Sequence, residues 1–385
     1  MRALQTAVTA ADKVADAAAP LAELDPCLVL VFGAMPVMED PAFASALRAA
    51  FPASALAGCS TAGEITGDGV TDGTCTVTAL RFDKSAVRVA EAVTATLGES
   101  GEAGAALGTA LSAPHPAGPL AGVLLFGRGV DINGSALIEG LTGRIPAGVP
   151  VSGGLAGDGG AFKRTLVLGP SGLSDRAAVA VGLYGEALRF RHGSFGGWEP
   201  FGPARKVTRA TGNILLELDG EPALNIYKRY LGDYAKDLPA SGLLFPFELL
   251  NENHSAIGLI RTILGIDEEA GSLILAGTVE EGFYLRLMHA STDSLVDGAE
   301  QAAEACGPQG DGQEGDAVAL LVSCVGRKLV MGDRVDEEVE AVAERLPAGT
   351  VLTGFYSYGE ISPMHGLADC KLHNQTMTVA LLTES

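Results

Sequence analysis

Aromatic side chains are scarce: they make up 5% of the 385 residues, with a single Trp. The cores must therefore be built mainly from Ala, Val and Leu. Basic residues are also few, 26 Lys and Arg against 47 Asp and Glu, for a formal net charge of -21. Such a surface repels phosphate backbones and anionic headgroups, which excludes general nucleic-acid binding and electrostatic docking on a membrane. No apolar run approaches the ~20 residues that span a bilayer. The first 19 residues alternate Ala with Asp and Lys and lack the apolar centre of a signal peptide, so cytoplasmic residence is expected. The six cysteines form no Cys-x-x-Cys pair, which excludes a zinc ribbon and argues against a disulfide framework. Most should be small buried hydrophobes. Cys59 and Cys324 stand apart because each ends a predicted strand. There is no Walker A loop, no His-Glu-x-x-His and no metal-ligand cluster. The run Gly310-Asp-Gly-Gln-Glu-Gly315 spells a dinucleotide fingerprint, but it follows no strand and carries acids where pyrophosphate would sit.

What is present is a repeat. Gly58-Cys59-Ser60-Thr61-Ala62-Gly63-Glu64-Ile65 reappears as Gly354-Phe355-Tyr356-Ser357-Tyr358-Gly359-Glu360-Ile361, with Gly, Gly, Glu and Ile in register. A shorter relative, Ala156-Gly157-Asp158, lies between them. Each is preceded by an apolar run (28–32, 123–126, 319–324), a helical pattern and a short second strand, and is followed by a third strand (75–82, 177–184, 376–382). Internal repeats outrank other fold signals. The grammar is a strand-helix-strand-loop-strand unit, most simply with a right-handed parallel crossover. The motif then falls at the carboxyl end of the second strand, where open α/β sheets bind ligands.

The fold class that follows is α/β, two domains of such units with mixed parallel and antiparallel sheets. We divide the chain into an extension at 1–26, a first domain at 27–212 and a second at 213–385. Asp40 and Pro41 are expected to open the helix whose face is Phe43, Leu47 and Phe51, and Asp333 to cap the helix bearing Val335, Val339 and Val342. Residues 256–264, 273–277 and 284–289 read as strands, 291–306 as a helix and 307–315 as an acidic loop. The stretch 189–209 holds five Arg or Lys against Glu199, together with Trp198. It reads as a linker that neutralises acidic neighbours, or as a clamp on an anionic ligand.

The candidate site gathers around the repeated loops. Glycines let backbone amides approach a bound group, Cys59, Ser60 and Thr61 can hydrogen-bond it, and Glu64 can accept from an amine. The plain alternative is a tight turn whose Glu is satisfied locally. Glu64 and Glu360 could face each other for acid/base work. Gly154 and Asp158 belong to the middle loop. Arg327, following Cys324, could grip a carboxylate or pair with Glu360 or a nearby Asp. Tyr356 and Tyr358 could wall a pocket.

These residues resemble the FIST family of sensory domains. The ordered set that carries the likeness is 58–65, Gly153-Gly154-Leu155-Ala156-Gly157-Asp158, Trp198 to Pro203, Leu218 to Pro222, Cys324 to Arg327, 354–361 and His373-Asn374-Gln375-Thr376. The resemblance covers roughly 27–383. It implies a small-ligand sensor, with amino acids or related metabolites as ligands, and it adds Trp198, His373 and Asn374 to the candidate site. Some members are described as haem-binding nitric-oxide sensors that signal through kinases. No cofactor is expected, with haem as the alternative. No kinase, methyl-acceptor, cyclase or F-box segment is left over, so the output is expected to pass to a separate partner such as a kinase. An enzyme using Cys59 or the Glu64/Glu360 pair is the other alternative.

Overall fold

The computed structural model describes residues 1–307, 316–364 and 369–385. The Gly310–Gly315 run, most of the acidic loop and His365 lie outside the described residues.

Three copies of one unit are seen. The first pairs Leu28–Gly33 in parallel with Ala55–Ser60 and returns antiparallel through Cys75–Arg81. The second does the same with Leu120–Gly127, Val151–Leu155 and Ala177–Tyr184. The third uses Val318–Cys324, Val351–Ser357 and Met377–Glu384. The leading strands are buried along nearly their whole length, which is why they read as unbroken apolar runs.

Each unit carries a small hairpin after its motif, and none keeps it. Glu64–Thr66 of the first unit pairs with Val351–Ser357 of the third. Val167–Gly169 of the second pairs with Ala55–Ser60 of the first. Gly359–Pro363 of the third pairs with Val151–Leu155 of the second. The exchange closes a ring of three six-stranded sheets. Arg2–Val8, Ala86–Val93 and Leu188–Phe195 complete their outer edges. Residues before 27 thus supply an edge strand, and the hydrogen bonding crosses position 212 in both directions.

The sheets meet on an aromatic centre. Phe32 stacks on Phe355 at 4.8 Å and meets Phe126 edge-on at 5.5 Å, and Cys59, Val167 and Val181 pack in the same cluster. The repeated first glycine has a packing cause. A Cβ at Gly58 would lie 1.8 Å from Val31 O, and one at Gly354 would lie 1.8 Å from Leu321 O.

Between the second and third units lies a fourth sheet, nine-stranded, whose path ends at Ala256–Arg261 on one edge and Ile263–Asp267 on the other. It takes up part of the stretch read as a linker. Leu188–Phe195 is a sheet edge, and Arg205–Thr211 is a strand whose Arg205 and Arg209 pair with Asp219 and Glu217. Two helix starts differ from expectation. The first helix is Phe43–Ala50, with Asp40 Oδ1 accepting from Ala42 N ahead of it, at 2.9 Å. Asp336–Arg345 follows a short 3-10 turn and has no side-chain cap.

Candidate functional site

The motif loops converge. Tyr356 N donates to Gly63 O and Ala62 N to Tyr356 O, both at 2.8 Å, while Gly157 N donates to Ser60 O at 2.8 Å and Tyr358 N to Leu155 O at 3.1 Å. This convergence is a knot of backbone hydrogen bonds, and its short side chains are spent inside it. Ser60 Oγ donates to Gly157 O and accepts from Leu166 N. Cys59 is fully buried, and burial pushes its thiol well above the ordinary range, so it offers no thiolate. A Cβ on Gly154 would meet Val322 at 2.7 Å.

The two glutamates repeat one local pattern. Glu64 accepts from Thr61 Oγ1 at 2.5 Å and from Thr74 N and Oγ1 at 3.1 and 2.7 Å. Glu360 accepts from Ser357 Oγ at 2.8 Å and from Thr376 N and Oγ1 at 3.0 Å. Each braces its own loop against its own returning strand. Their strands lie in different sheets, Glu64 opposite Phe355 and Glu360 opposite Gly154. In the second unit the corresponding register, opposite Cys59, is held by Val167.

Arg327 is fully buried and already partnered. Its Nε and Nη2 reach Glu338 Oε2 at 3.0 and 2.7 Å, and Nη2 also reaches Leu295 O at 2.8 Å. The partner is Glu338, not Glu360 or an Asp. Glu338 Oε1 accepts from Tyr356 OH and Ser323 Oγ at 2.5 and 2.8 Å. Tyr358 OH donates to Asp158 and accepts from Gly160 N at 2.9 Å, and its ring stacks on Phe162 at 4.1 Å. Burial of Asp158 works against its charge, but bonds from Tyr358 and from the Arg164, Lys163 and Phe162 amides hold its pKa below the usual range.

Open space lies beside this knot, along the seam between the nine-stranded sheet and the second and third units. A cavity of about 390 Å³ lies among Ile138, Leu249, Leu259, Arg261, Phe283 and Leu372. A second, of about 210 Å³, shares Ser135, Thr278 and Leu372 with the first and reaches Tyr358. A third, of about 290 Å³, shares Leu259 and is lined by Trp198, Glu248, Met288, His373 and Thr376. Cys324, Asn374 and Tyr358 border a much smaller pocket beside Thr262. Among the described residues, Asn374 Oδ1 and Thr262 Oγ1 are buried there without a hydrogen-bond partner.

Of the sequence-derived candidates, Trp198, Cys324, Tyr358, His373 and Asn374 therefore border open space. Cys59, Ser60, Thr61, Glu64, Gly154, Arg327, Tyr356 and Glu360 serve packing and loop bracing, and Asp158 braces its loop through Tyr358. Trp198 Nε1 donates to Gln375 O at 2.8 Å. His373 is buried, which lowers its pKa to about 4, and its Nε2 lies 3.0 Å from Ser362 O. That nitrogen is not free for an axial bond to haem. Among the described residues no group of three or more His, Cys, Asp or Glu could hold a metal ion, and no helix is long and apolar enough to cross a membrane. Sequence reasoning missed Arg261 and Glu338. The one available signal for Arg261 was a lone charge inside the apolar strand Ala256–Arg261 and its continuation.

Three strand-exchanged repeats with a fourth sheet packed at their side make this a repeat-built α/β protein. The FIST N domain matches residues 27–221 and the FIST C domain residues 223–363, and the chain belongs to the FIST family. FIST domains are sensory domains of signal transduction. An uncharacterized protein of Mycobacterium tuberculosis is 31% identical over 264 residues, covering 64% of this chain and 64% of that protein. The match thus spans somewhat less than two thirds of that relative's length. An uncharacterized protein of Methanocaldococcus jannaschii is 26% identical over 215 residues, 50% of this chain and 39% of its own. Among solved structures, a cyanuric acid hydrolase from A. caulinodans aligns over 100% of this chain and 99% of its own, at 11% identity and a TM-score of 0.35, too low to bear on activity.

Proposed function

We propose that this chain is a small-ligand sensor of prokaryotic signal transduction, acting through a separate partner protein such as a kinase. Its ligand is an amino acid or a related small metabolite. The observation that carries this reading is the series of adjoining cavities along the seam, bordered by Trp198, Tyr358 and His373. The larger cavity, about 390 Å³, lies at the small end of the range for small-molecule sites. A ligand in a seam touches two bodies at once. It favours whichever relative position closes on it, and a partner can read that shift.

The test is thermal shift and calorimetry against amino acids and small carboxylates, on the wild type and on Leu259→Trp. Leu259 borders two of the three cavities, so an indole there fills the seam. A true ligand raises the wild-type Tm further with each increase in its concentration, logarithmically above Kd, and does so far less for Leu259→Trp. A compound that stabilises both proteins equally binds elsewhere and removes the reading.

A further inference from the structure

Two arginines in this protein are buried to 4% exposure or less among the elements bordering the seam and its neighbours, and they are treated differently. Arg327 has a glutamate on its fork. Arg261 has none. Its Nε donates to Thr278 O at 3.1 Å, and its Nη1 to Ile260 O at 3.0 Å and to Leu372 O at 3.5 Å. All three acceptors are neutral carbonyls. Nη2 has no acceptor, and no carboxylate pairs with the group, among the described residues. A chain with 47 acidic residues has no shortage of counter-ions to offer. A buried charge without one is expensive to hold, and burial lowers this guanidinium's pKa to about 10. The fold also clears space for it. A Cβ on Gly277 would stand 2.7 Å from Arg261 Nε and 2.9 Å from its Cζ.

Arg261 lines the largest of the three cavities. We propose that its guanidinium is the anchor for a carboxylate, so that the seam receives a small monocarboxylate with an apolar body. This rests on the small-ligand reading above and names the chemistry of that site. Ile138, Leu249, Ile257 and Phe283 supply the apolar wall. The rest of the lining selects against more highly charged anions. Lys371 is held by Asp369 at 2.9 Å, and Glu139 and Glu280 are exposed on the same cavity. One guanidinium facing several acids favours a single negative charge over a phosphate ester.

The experiment uses four probes on the full chain: L-leucine, 4-methylpentanoate, the neutral 4-methylpentanamide and inorganic phosphate. Binding is read by calorimetry on the wild type, Arg261→Met and Arg261→Lys. At least one of the two carboxylates binds the wild type, at least about tenfold more tightly than the amide or phosphate, as a charge-assisted bond from Nη2 requires. Arg261→Met abolishes that preference. Arg261→Lys keeps the charge but loses the planar group that holds Nη2 in place through its carbonyl bonds, and it weakens the carboxylate at least severalfold. The inference is overturned if the amide binds as well as the acid, if phosphate is preferred, or if either variant retains wild-type affinity. Should Arg261→Met fail to fold, the acid-to-amide ratio on the wild type and Arg261→Lys decide. If neither carboxylate binds at up to about 10 mM, the anchor fails. A neutral or cationic metabolite that then binds the wild type but not Leu259→Trp would leave the sensor reading standing without it.

Discussion

Phe355 lies directly opposite Glu64, although 291 residues separate them along the chain. That pairing places a strand of the first unit in the sheet of the third. The second and third units exchange strands in the same way, so no six-stranded sheet is built from a single unit.

The first consequence concerns folding. Separated at 212, the N-terminal piece would lose the edge that its Glu64–Thr66 hairpin pairs with, and the C-terminal piece would lose Leu188–Phe195 from its sheet. Each would expose an unpaired strand edge and the apolar faces behind it. Residues 1–212 and 213–385 expressed alone should therefore show poor chemical-shift dispersion and aggregate. The intact chain should unfold through its three repeats in one cooperative transition. Two well-dispersed fragments would contradict this.

The repeated glycines give a second prediction. Gly58→Ala and Gly354→Ala each drive a Cβ to 1.8 Å from a backbone carbonyl of the adjacent parallel strand. Nothing flexible stands there to yield, so each should cost more than about 3 kcal/mol, at the upper end for overpacking. Gly67→Ala is the control, because a Cβ there meets nothing within 4 Å. Urea melts of the three variants check both expectations.

Glu360 makes stability depend on pH in an unusual direction. Burial raises its pKa to about 7, against hydrogen bonds from Thr376 and Ser357 and the nearby Arg327 charge, which lower it. The folded state thus holds this proton more tightly than the unfolded chain, whose glutamate titrates near 4.5. The contribution is full below about pH 4.5 and is lost as pH rises through about 7, by about 3 kcal/mol. Glu360→Gln carries no such proton. The stability of the wild type relative to Glu360→Gln should fall across that window and level off above about pH 8. A difference that is flat, or that rises with pH, would show that the carboxylate is not held in this way.

Much of this was legible in the sequence. The leading strands were visible because Leu28–Gly33 and Val318–Cys324 are apolar at nearly every position, and the motif loops because they are written twice. The hairpin exchange was not legible, because Glu64-Ile65-Thr66 looks the same whichever edge it joins. The middle copy was partly hidden. A longer loop precedes Val167, and no glutamate marks its place. The nine-stranded sheet was only partly visible, since strands such as Ile214–Leu218 and Phe247–Leu250 are too short for periodicity. Arg261 and Glu338 are single charges whose meaning depends on what packs around them, and no local pattern encodes that.

Arg327 and Glu338 test whether this buried chemistry is structural. Both side chains are fully enclosed, and Glu338 also takes hydrogen bonds from Tyr356 and Ser323. Removing one partner strands the other charge in a dry interior, so Arg327→Met or Glu338→Gln alone should each cost about 3–5 kcal/mol. In the double variant neither charge remains to be stranded. Its loss should fall well short of the sum, leaving a coupling energy of at least about 1–3 kcal/mol in a double-mutant cycle. Ligand affinity in the seam should survive in any of the three that folds, because the pair faces the loop knot and borders none of the three cavities. Additive losses would mean that the two groups do not stabilise each other. A selective loss of ligand binding at wild-type stability would return Arg327 to the binding site.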